Sequence, residues 1–174
     1  PAENFDLEEA QIKYPVDWSE SRNTVLLQEL AKFNNLTSLI RISLHDVIRA
    51  VQGVVVMSED LEHLGKSLVV GAIPTLWRKA SYPSFKPLAS YVNDLLARLG
   101  FMSSWLHDKP PVKYWISVFF FTHSFLTATR QNMARAQTIP IDALGFRFEM
   151  LKGDDFKKPP KRGVYTFGLF IEGA

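Results

Sequence analysis

Apolar residues recur at steps of three and four from Ser21 to Gln52: Leu26, Leu30, Phe33, Leu36, Ile40, Leu44, Val47 and Val51. That spacing predicts one long amphipathic helix. Gln28, Glu29, Lys32, Asn35, Arg41, Asp46 and Arg49 are placed on its opposite face, and Gly53 follows as the residue that most easily takes left-handed backbone after a helix end. So long a stripe exceeds what one hairpin partner covers. The helix is therefore expected to pack along several shorter helices or to bridge to a neighbouring domain.

Shorter helical patterns follow. Ser58 is placed to cap a helix whose first positions, Glu59 and Asp60, oppose the positive end of the helix dipole, and which runs to about Val70 before Gly71. Pro74 fits the first turn of a short helix with Leu76 and Trp77, and Tyr82-Pro83-Ser84-Phe85-Lys86-Pro87 forces an extended corner. Tyr91, Val92, Leu95, Leu96, Leu99, Met102 and Trp105 predict a helix over 88–106, closed by Pro110-Pro111. Tyr114 to Phe121 is aromatic and β-branched, which predicts a strand, and Ser124 to Ala136 returns to helical spacing. Ala143 to Met150 alternates, with Leu144, Phe146, Phe148 and Met150 on one side, and Val164 to Ile171 is another strand-like run. The fold class read from this order is α+β: mainly helical, then a few strands whose edges have no cover within the chain. The sheet reads as unfinished, as in a segment cut from a longer polypeptide or in one that docks its edge against a partner.

Length and composition narrow the classes. The chain has 174 residues, enough for one domain or two small ones, and 47% hydrophobic content with 22% charged residues belongs to a globular protein. Twenty basic residues against 18 acidic leave a net charge of +2, which gives no sustained field for nucleic-acid phosphates. The absence of cysteine excludes disulfides and thiolate metal sites. No signal peptide is visible in Pro1 to Trp18. The longest apolar stretch, Tyr114 to Phe121 and loosely to Leu126, falls short of the about 20 residues a membrane helix needs.

Candidate chemistry is sparse. Gly65-Lys66-Ser67 ends like a phosphate-binding loop, but the full pattern needs glycine where Asp60 stands, and Glu59, Asp60 and Glu62 would face a polyanion. His45, His63, His107 and His123 show no metal-binding spacing. His123-Ser124 are adjacent and do not face each other as base and nucleophile, so they are read as a helix start. Asp154-Asp155 lack a calcium-loop pattern, the Asn35-Leu36-Thr37 sequon falls inside the long helix, and Lys157, Lys158, Lys161 and Arg162 read as solvated loop. No catalytic, cofactor-binding or metal-ligating residue is assigned.

Several short stretches stand out in order along the sequence. They are Asn23-Thr24-Val25-Leu26, Gly53-Val54-Val55-Val56-Met57-Ser58, Pro74 with Trp77, Tyr82-Pro83-Ser84 with Lys86-Pro87-Leu88, and Tyr114-Trp115-Ile116-Ser117 with Phe119-Phe120-Phe121. The series continues with Phe125-Leu126-Thr127-Ala128-Thr129-Arg130-Gln131-Asn132, Pro140-Ile141-Asp142 with Leu144, Phe146, Phe148 and Glu149, then Gly163-Val164-Tyr165 and Gly168 to Ala174. Taken together and in this order, these stretches resemble the C-terminal region of the dynein heavy chain. Asn132 with Ala134-Arg135, and Pro140-Ile141-Asp142, are more similar to axonemal than to cytoplasmic dyneins, and an inner-arm dynein is the narrower reading. Val118 stands where the family commonly has glycine, and Thr122-His123 where a proline often begins the next helix.

The resemblance implies a helical domain with a small antiparallel β-barrel that continues past this chain, lying across a ring of six ATPase modules. It divides the sequence into a connector from the last ATPase module over 1–20, a helical part over 21–111 and a mixed part over 112–174. ATP and magnesium would bind in the ring and microtubules elsewhere in the parent motor, leaving this segment a structural and regulatory role, with Leu26, Leu30, Phe33 and Leu36 expected to be buried partly against residues outside this chain. The implied partners are the rest of the ring and other dynein arm subunits, with no nucleic acid and no membrane. The implied location is the cytoplasm and cytoskeleton, in the axoneme of a cilium or flagellum. A stand-alone dynein-like module binding a partner through its open sheet edge is the alternative, and a small ATPase built on Gly65-Lys66-Ser67 a third.

Overall fold

Residues 3–153 and 156–168 are described by the computed structural model of the protein. The polypeptide divides into two units, one of Pro1–Asp6 with Leu30–Ser103 and the other of Leu7–Glu29 with Ser104–Ala174. Most of the structure is helical, as the periodicity predicts, with a small sheet.

In the first unit the long helix, α2 (Ser21–Val51), contributes Leu30, Phe33 and Leu36, all fully buried. Leu26 is equally buried in the other unit, so this polypeptide alone covers the four positions expected to need outside residues. Beyond Leu36 the buried line runs through Ser43 and Ala50 at heptad spacing, and Val51 is exposed. Small residues explain this course: the indole of Trp77 lies against Ser43 and donates to its Oγ at 2.9 Å. At the helix end the Gly53 and Val54 amides donate to the Ala50 and Arg49 carbonyls, with Gly53 at φ 74°, which is the expected left-handed stop. Next comes α3 (Glu59–Val69), capped by Ser58 Oγ, which accepts from the Leu61 amide as expected. After it, α4 (Thr75–Ala80) and the two-proline corner lead into α5 (Leu88–His107). That helix buries Tyr91, Leu95, Leu99 and Met102, but Val92 and Leu96 of the expected set are exposed.

The second unit holds α1 (Leu7–Lys13), which hydrophobic spacing does not reveal, because Ala10 is its sole buried residue. Its charges suit the dipole, with Glu8 and Glu9 in the first turn and Lys13 in the last. Tyr14 then donates from Oη to the Trp105 carbonyl at 2.7 Å. An aromatic core forms around Trp105, Tyr114, Phe119 and Phe125: Phe119 stacks on Phe125 at 4.5 Å between centroids, and Trp105 meets Tyr114 edge-on at 5.2 Å. Helix α6 (Thr122–Gln137) starts two residues before the expected Ser124 and ends at Thr138 in the left-handed region, φ 54°.

The sheet departs from expectation. Among the described residues the sheet has two strands, Lys113–Trp115 (β1) and Tyr165–Phe167 (β2), and they pair in parallel, Lys113 with Tyr165 and Trp115 with Phe167, where an antiparallel sheet was expected. The strand predicted over 114–121 stops at Trp115 because Ile116–Val118 winds into a 3₁₀ turn. Its alternation nonetheless has a cause: Tyr114, Ile116 and Val118 are all buried. The alternating segment 143–150 is not strand: an alternating pattern becomes one only where a neighbouring backbone supplies hydrogen bonds, and among the described residues none pairs with it. No barrel closes among the described residues. The end of the predicted strand over 164–171, from residue 169, lies outside them.

Candidate functional site

Four polar clusters stand out where the sequence suggested no chemistry. In the second unit Glu29, only 1% exposed, accepts hydrogen bonds from the backbone amides of Phe120 at 2.8 Å and Phe121 at 3.1 Å. A carboxylate used in this way fixes a loop that would otherwise lack acceptors. Residue type alone places Glu29 on the polar face of α2. It lies three residues after Leu26 and four before Phe33, so helical geometry puts it on the apolar stripe, and that offset was the available signal.

The second cluster, in the same unit, joins the start of α2 to α6. Glu20 receives Arg22 NH2 at 2.6 Å and also the Asn132 side-chain amide, while the Ser21 amide donates to Asn132 Oδ1 at 2.9 Å and Arg135 NH1 to Ser21 Oγ at 2.6 Å. Burial pushes the Glu20 carboxyl up, but Arg22 and Asn132 outweigh it and leave the group below its ordinary value. Burial raises the Tyr114 hydroxyl above its usual value, and the nearby Arg22 opposes that rise.

The third cluster, in the first unit, holds the corner between α4 and α5. Arg98 donates from Nε to Asp94 Oδ2 at 2.6 Å and lays its guanidinium 3.8 Å from the Tyr82 ring centroid, while Lys86 donates to Asp94 Oδ1. Tyr91 is fully buried and its hydroxyl lies 2.9 Å from Ser81 Oγ. Burial works against the Asp94 charge, yet Lys86 and Arg98 hold the carboxyl below the ordinary aspartate value. Burial pushes the Tyr82 hydroxyl well up and raises that of Tyr91, so both are neutral donors or acceptors. The corner carries Phe85 fully exposed at its tip.

The fourth cluster straps the N-terminal residues of the first unit onto α2. Asn34 bonds both ways with the Phe5 backbone, accepting at 2.7 Å and donating at 2.8 Å, and Asn4 bonds Ser38, Thr37 and Arg41.

The residues considered for chemistry lie apart from these clusters. Gly65, Lys66 and Ser67 are all inside α3, with Lys66 paired to Glu62 at 2.7 Å and Ser67 Oγ donating to the His63 carbonyl at 2.9 Å. Their amides belong to a helical ladder and cannot converge on a phosphate. His45, His63 and His107 sit beside Asp46, Glu59 and Glu9 at 4.0, 3.7 and 3.9 Å, on separate elements. His123 meets the Phe121 ring edge-on, and with Ser124 it lies in the first turn of α6. Among the described residues no group of three or more histidine, cysteine or acidic side chains is placed to hold a metal ion, and no helix is long and apolar enough to cross a membrane. Asn35-Leu36-Thr37 is helical, with Thr37 Oγ1 donating to the Phe33 carbonyl at 2.9 Å, and Asp154-Asp155 lie outside the described residues. The four clusters orient backbone and join helices.

The whole sequence, residues 1–174, matches the family profile of the C-terminal domain of dynein heavy chains. The protein belongs to that family. It is 53% identical over 172 residues to "Dynein axonemal heavy chain 3" of Mus musculus, a match covering 98% of this sequence and 4% of that protein. It is 51% identical over 171 residues to "Dynein axonemal heavy chain 12" of Mus musculus, covering 98% of this sequence and 6% of the relative. With "Dynein axonemal heavy chain 1" of Rattus norvegicus the identity is 47% over 171 residues, 97% of this sequence and 4% of the relative. The 174 residues thus span only a small fraction of the length of these dynein relatives.

Proposed function

We propose that this segment is the C-terminal structural and regulatory part of an axonemal dynein heavy chain, an ATP-driven microtubule motor for ciliary or flagellar beating. The observation that carries the reading is the family match over residues 1–174, joined to about half identity with relatives named axonemal. In this reading the segment holds no catalytic residue and no cofactor, and ATP with magnesium binds in the ATPase modules of the parent motor. Its partners are the remainder of the ring and the other subunits of the dynein arm, and it meets the microtubule only through the parent motor. Its place is the axoneme.

Residues 1–20 serve as connector, 21–111 as the helical part and 112–174 as the mixed part. The pair β1–β2 belongs to the small β-barrel that the family resemblance implies. The polar clusters support a mechanical role, since hydrogen-bonded ions on packed helices transmit displacement without chemistry of their own.

The test uses the complete motor polypeptide. Asp94→Ala with Arg98→Ala loosens the corner, and gliding velocity and ATP turnover are measured beside ATP affinity. Altered velocity and turnover at unchanged ATP affinity is the expected result. Unchanged gliding from a motor whose segment is shown by hydrogen exchange to have loosened would overturn the reading.

A further inference from the structure

Between Glu62 and Asp94 no acidic residue interrupts the sequence, while Lys66, Arg78, Lys79 and Lys86 do carry charge. Within that basic stretch stands Arg78-Lys79-Ala80-Ser81-Tyr82. Ser81 is the only serine or threonine of the 174 residues with basic side chains both two and three positions before it. Basophilic protein kinases recognise that arrangement because carboxylates of the enzyme pair with the two cations and hold the hydroxyl at the γ-phosphate. Thr138, with Arg135 three positions before it and Ala136 two before it, offers half of the signal.

The surroundings of Ser81 give the arrangement a consequence. Arg78 and Lys79 are exposed, and Ser81 is half-buried at the C-terminal end of α4, already in extended backbone at φ −99° and ψ 169°. A helix of six residues does not hold itself, and no side chain caps the N-terminus of α4, so the tract can open locally without global unfolding. Against opening stand the burial of Trp77 and Tyr82 and the 2.9 Å contact of Ser81 Oγ with the Tyr91 hydroxyl.

We propose that Ser81 is a phosphorylation site for a basophilic serine/threonine kinase, reached by local opening of α4, and that its phosphate unlatches the corner over 82–87. The donor is ATP. The bond from Ser81 Oγ to the γ-phosphorus forms as the bond to the β,γ-bridging oxygen breaks; ADP leaves with that electron pair, and the hydroxyl proton passes to the kinase's catalytic base. A phosphate there brings close to two negative charges beside Tyr91, where Asp94 and Arg98 already act on the hydroxyl. It repels the Asp94 carboxylate and offers Arg98 a stronger forked acceptor, so Arg98 leaves Asp94 and Tyr82. Lys86 then loses its fixed partner arrangement, and Phe85 is no longer presented on a rigid turn. The modification converts a locked corner into a mobile one.

The complete polypeptide carrying these residues is treated with Mg-ATP and the catalytic subunit of cAMP-dependent protein kinase as probe, and phosphate is mapped by peptide mass spectrometry. Phosphate on Ser81 is expected, with hydrogen exchange rising over 82–94 in the modified protein. Replacing the exposed pair, Arg78→Ala with Lys79→Ala, leaves the buried side chains in place and slows modification of Ser81 by about tenfold or more, the loss of one to two charge pairs. Tyr91→Phe removes the hydroxyl partner of Ser81 and speeds modification severalfold. Absence of phosphate on Ser81, preference for Thr138, indifference to the Arg78/Lys79 replacement, no acceleration in Tyr91→Phe, or unchanged exchange over 82–94 in protein modified at Ser81 would each overturn the proposal.

Discussion

Replacing Glu29 by alanine removes the acceptor of two backbone amides at once. A hydrogen bond to a charged acceptor contributes about 1.5–3 kcal/mol, so two would give about 3–6 kcal/mol in a dry site. Phe121 is partly open to solvent, and water can satisfy its amide once the carboxylate is gone. The expected loss for Glu29→Ala is therefore about 2–4 kcal/mol, a large share of the roughly 5–15 kcal/mol that holds a domain together. Glu29→Gln keeps the side-chain volume and one carbonyl acceptor but turns an NH2 group toward the second amide, and about half of that loss is expected. Urea unfolding followed by tryptophan fluorescence reads the effect, because Trp105 is buried in the aromatic core beside Phe119. With a slope of about 2 kcal/mol per M, Glu29→Ala should lower the midpoint by about 1–2 M at unchanged slope. A midpoint within about 0.2 M of the parent would refute the view that this carboxylate holds the 119–121 turn.

Gly168→Ala should lower the melting temperature by several degrees, since a Cβ there meets the Trp115 ring at 2.5 and 2.6 Å and the backbone is at φ +71°. Near-ultraviolet circular dichroism should report loss of the Trp115–Phe167 stack in that variant. Arg98→Lys keeps the charge but loses the planar stack on Tyr82 and the forked donor, and about 1–2 kcal/mol is expected by denaturant titration. The Asp94 carboxyl lies below the ordinary aspartate value of 3.8 in the folded protein, so its contribution is complete above that value and is lost as pH falls through the lower folded one. Asp94→Asn should flatten that acid limb in a stability-versus-pH series, and an unchanged limb would count against the pairing. Trp77→Phe removes the donor to Ser43 Oγ and should cost about 1 kcal/mol beyond the packing change, which Ser43→Ala in the same background should partly recover.

How much of this was legible in the sequence depends on the kind of interaction. The long helix, the Ser58 cap, the Gly53 stop and the two-proline corner follow from spacing and local backbone preference, and the structure has them. Helix α1 is invisible to hydrophobic spacing because it buries a single alanine and its signal is charge placement. The aromatic, β-branched run over 114–121 reads as a strand, but pairing is a property of two segments, and β1 lasts only as long as β2 lies beside it. Segment 143–150 shows the same limit. The partners of Glu29 and Glu20 were illegible for a related reason: Glu29 and its amides stand 91 and 92 residues apart, and Asn132 is 112 residues from Glu20. Periodicity speaks only of neighbours along one element. The family resemblance rested on ordered short stretches and carried over the whole length.

The division of the polypeptide bears on its birth as well as on its finished form. One unit takes residues 1–6 and 30–103, the other 7–29 and 104–174, so the backbone passes from one to the other three times. As the ribosome delivers it from the N-terminus, the first unit has all its residues once Ser103 has emerged. The second has by then only 7–29, and Glu29 waits for residues made later. Until Phe120 and Phe121 emerge, α2 carries near its N-terminal end a hydrated carboxylate that lacks its two amide partners. That interval is when a holding chaperone has most to shield, and a pause in translation just past Ser103 would prolong it.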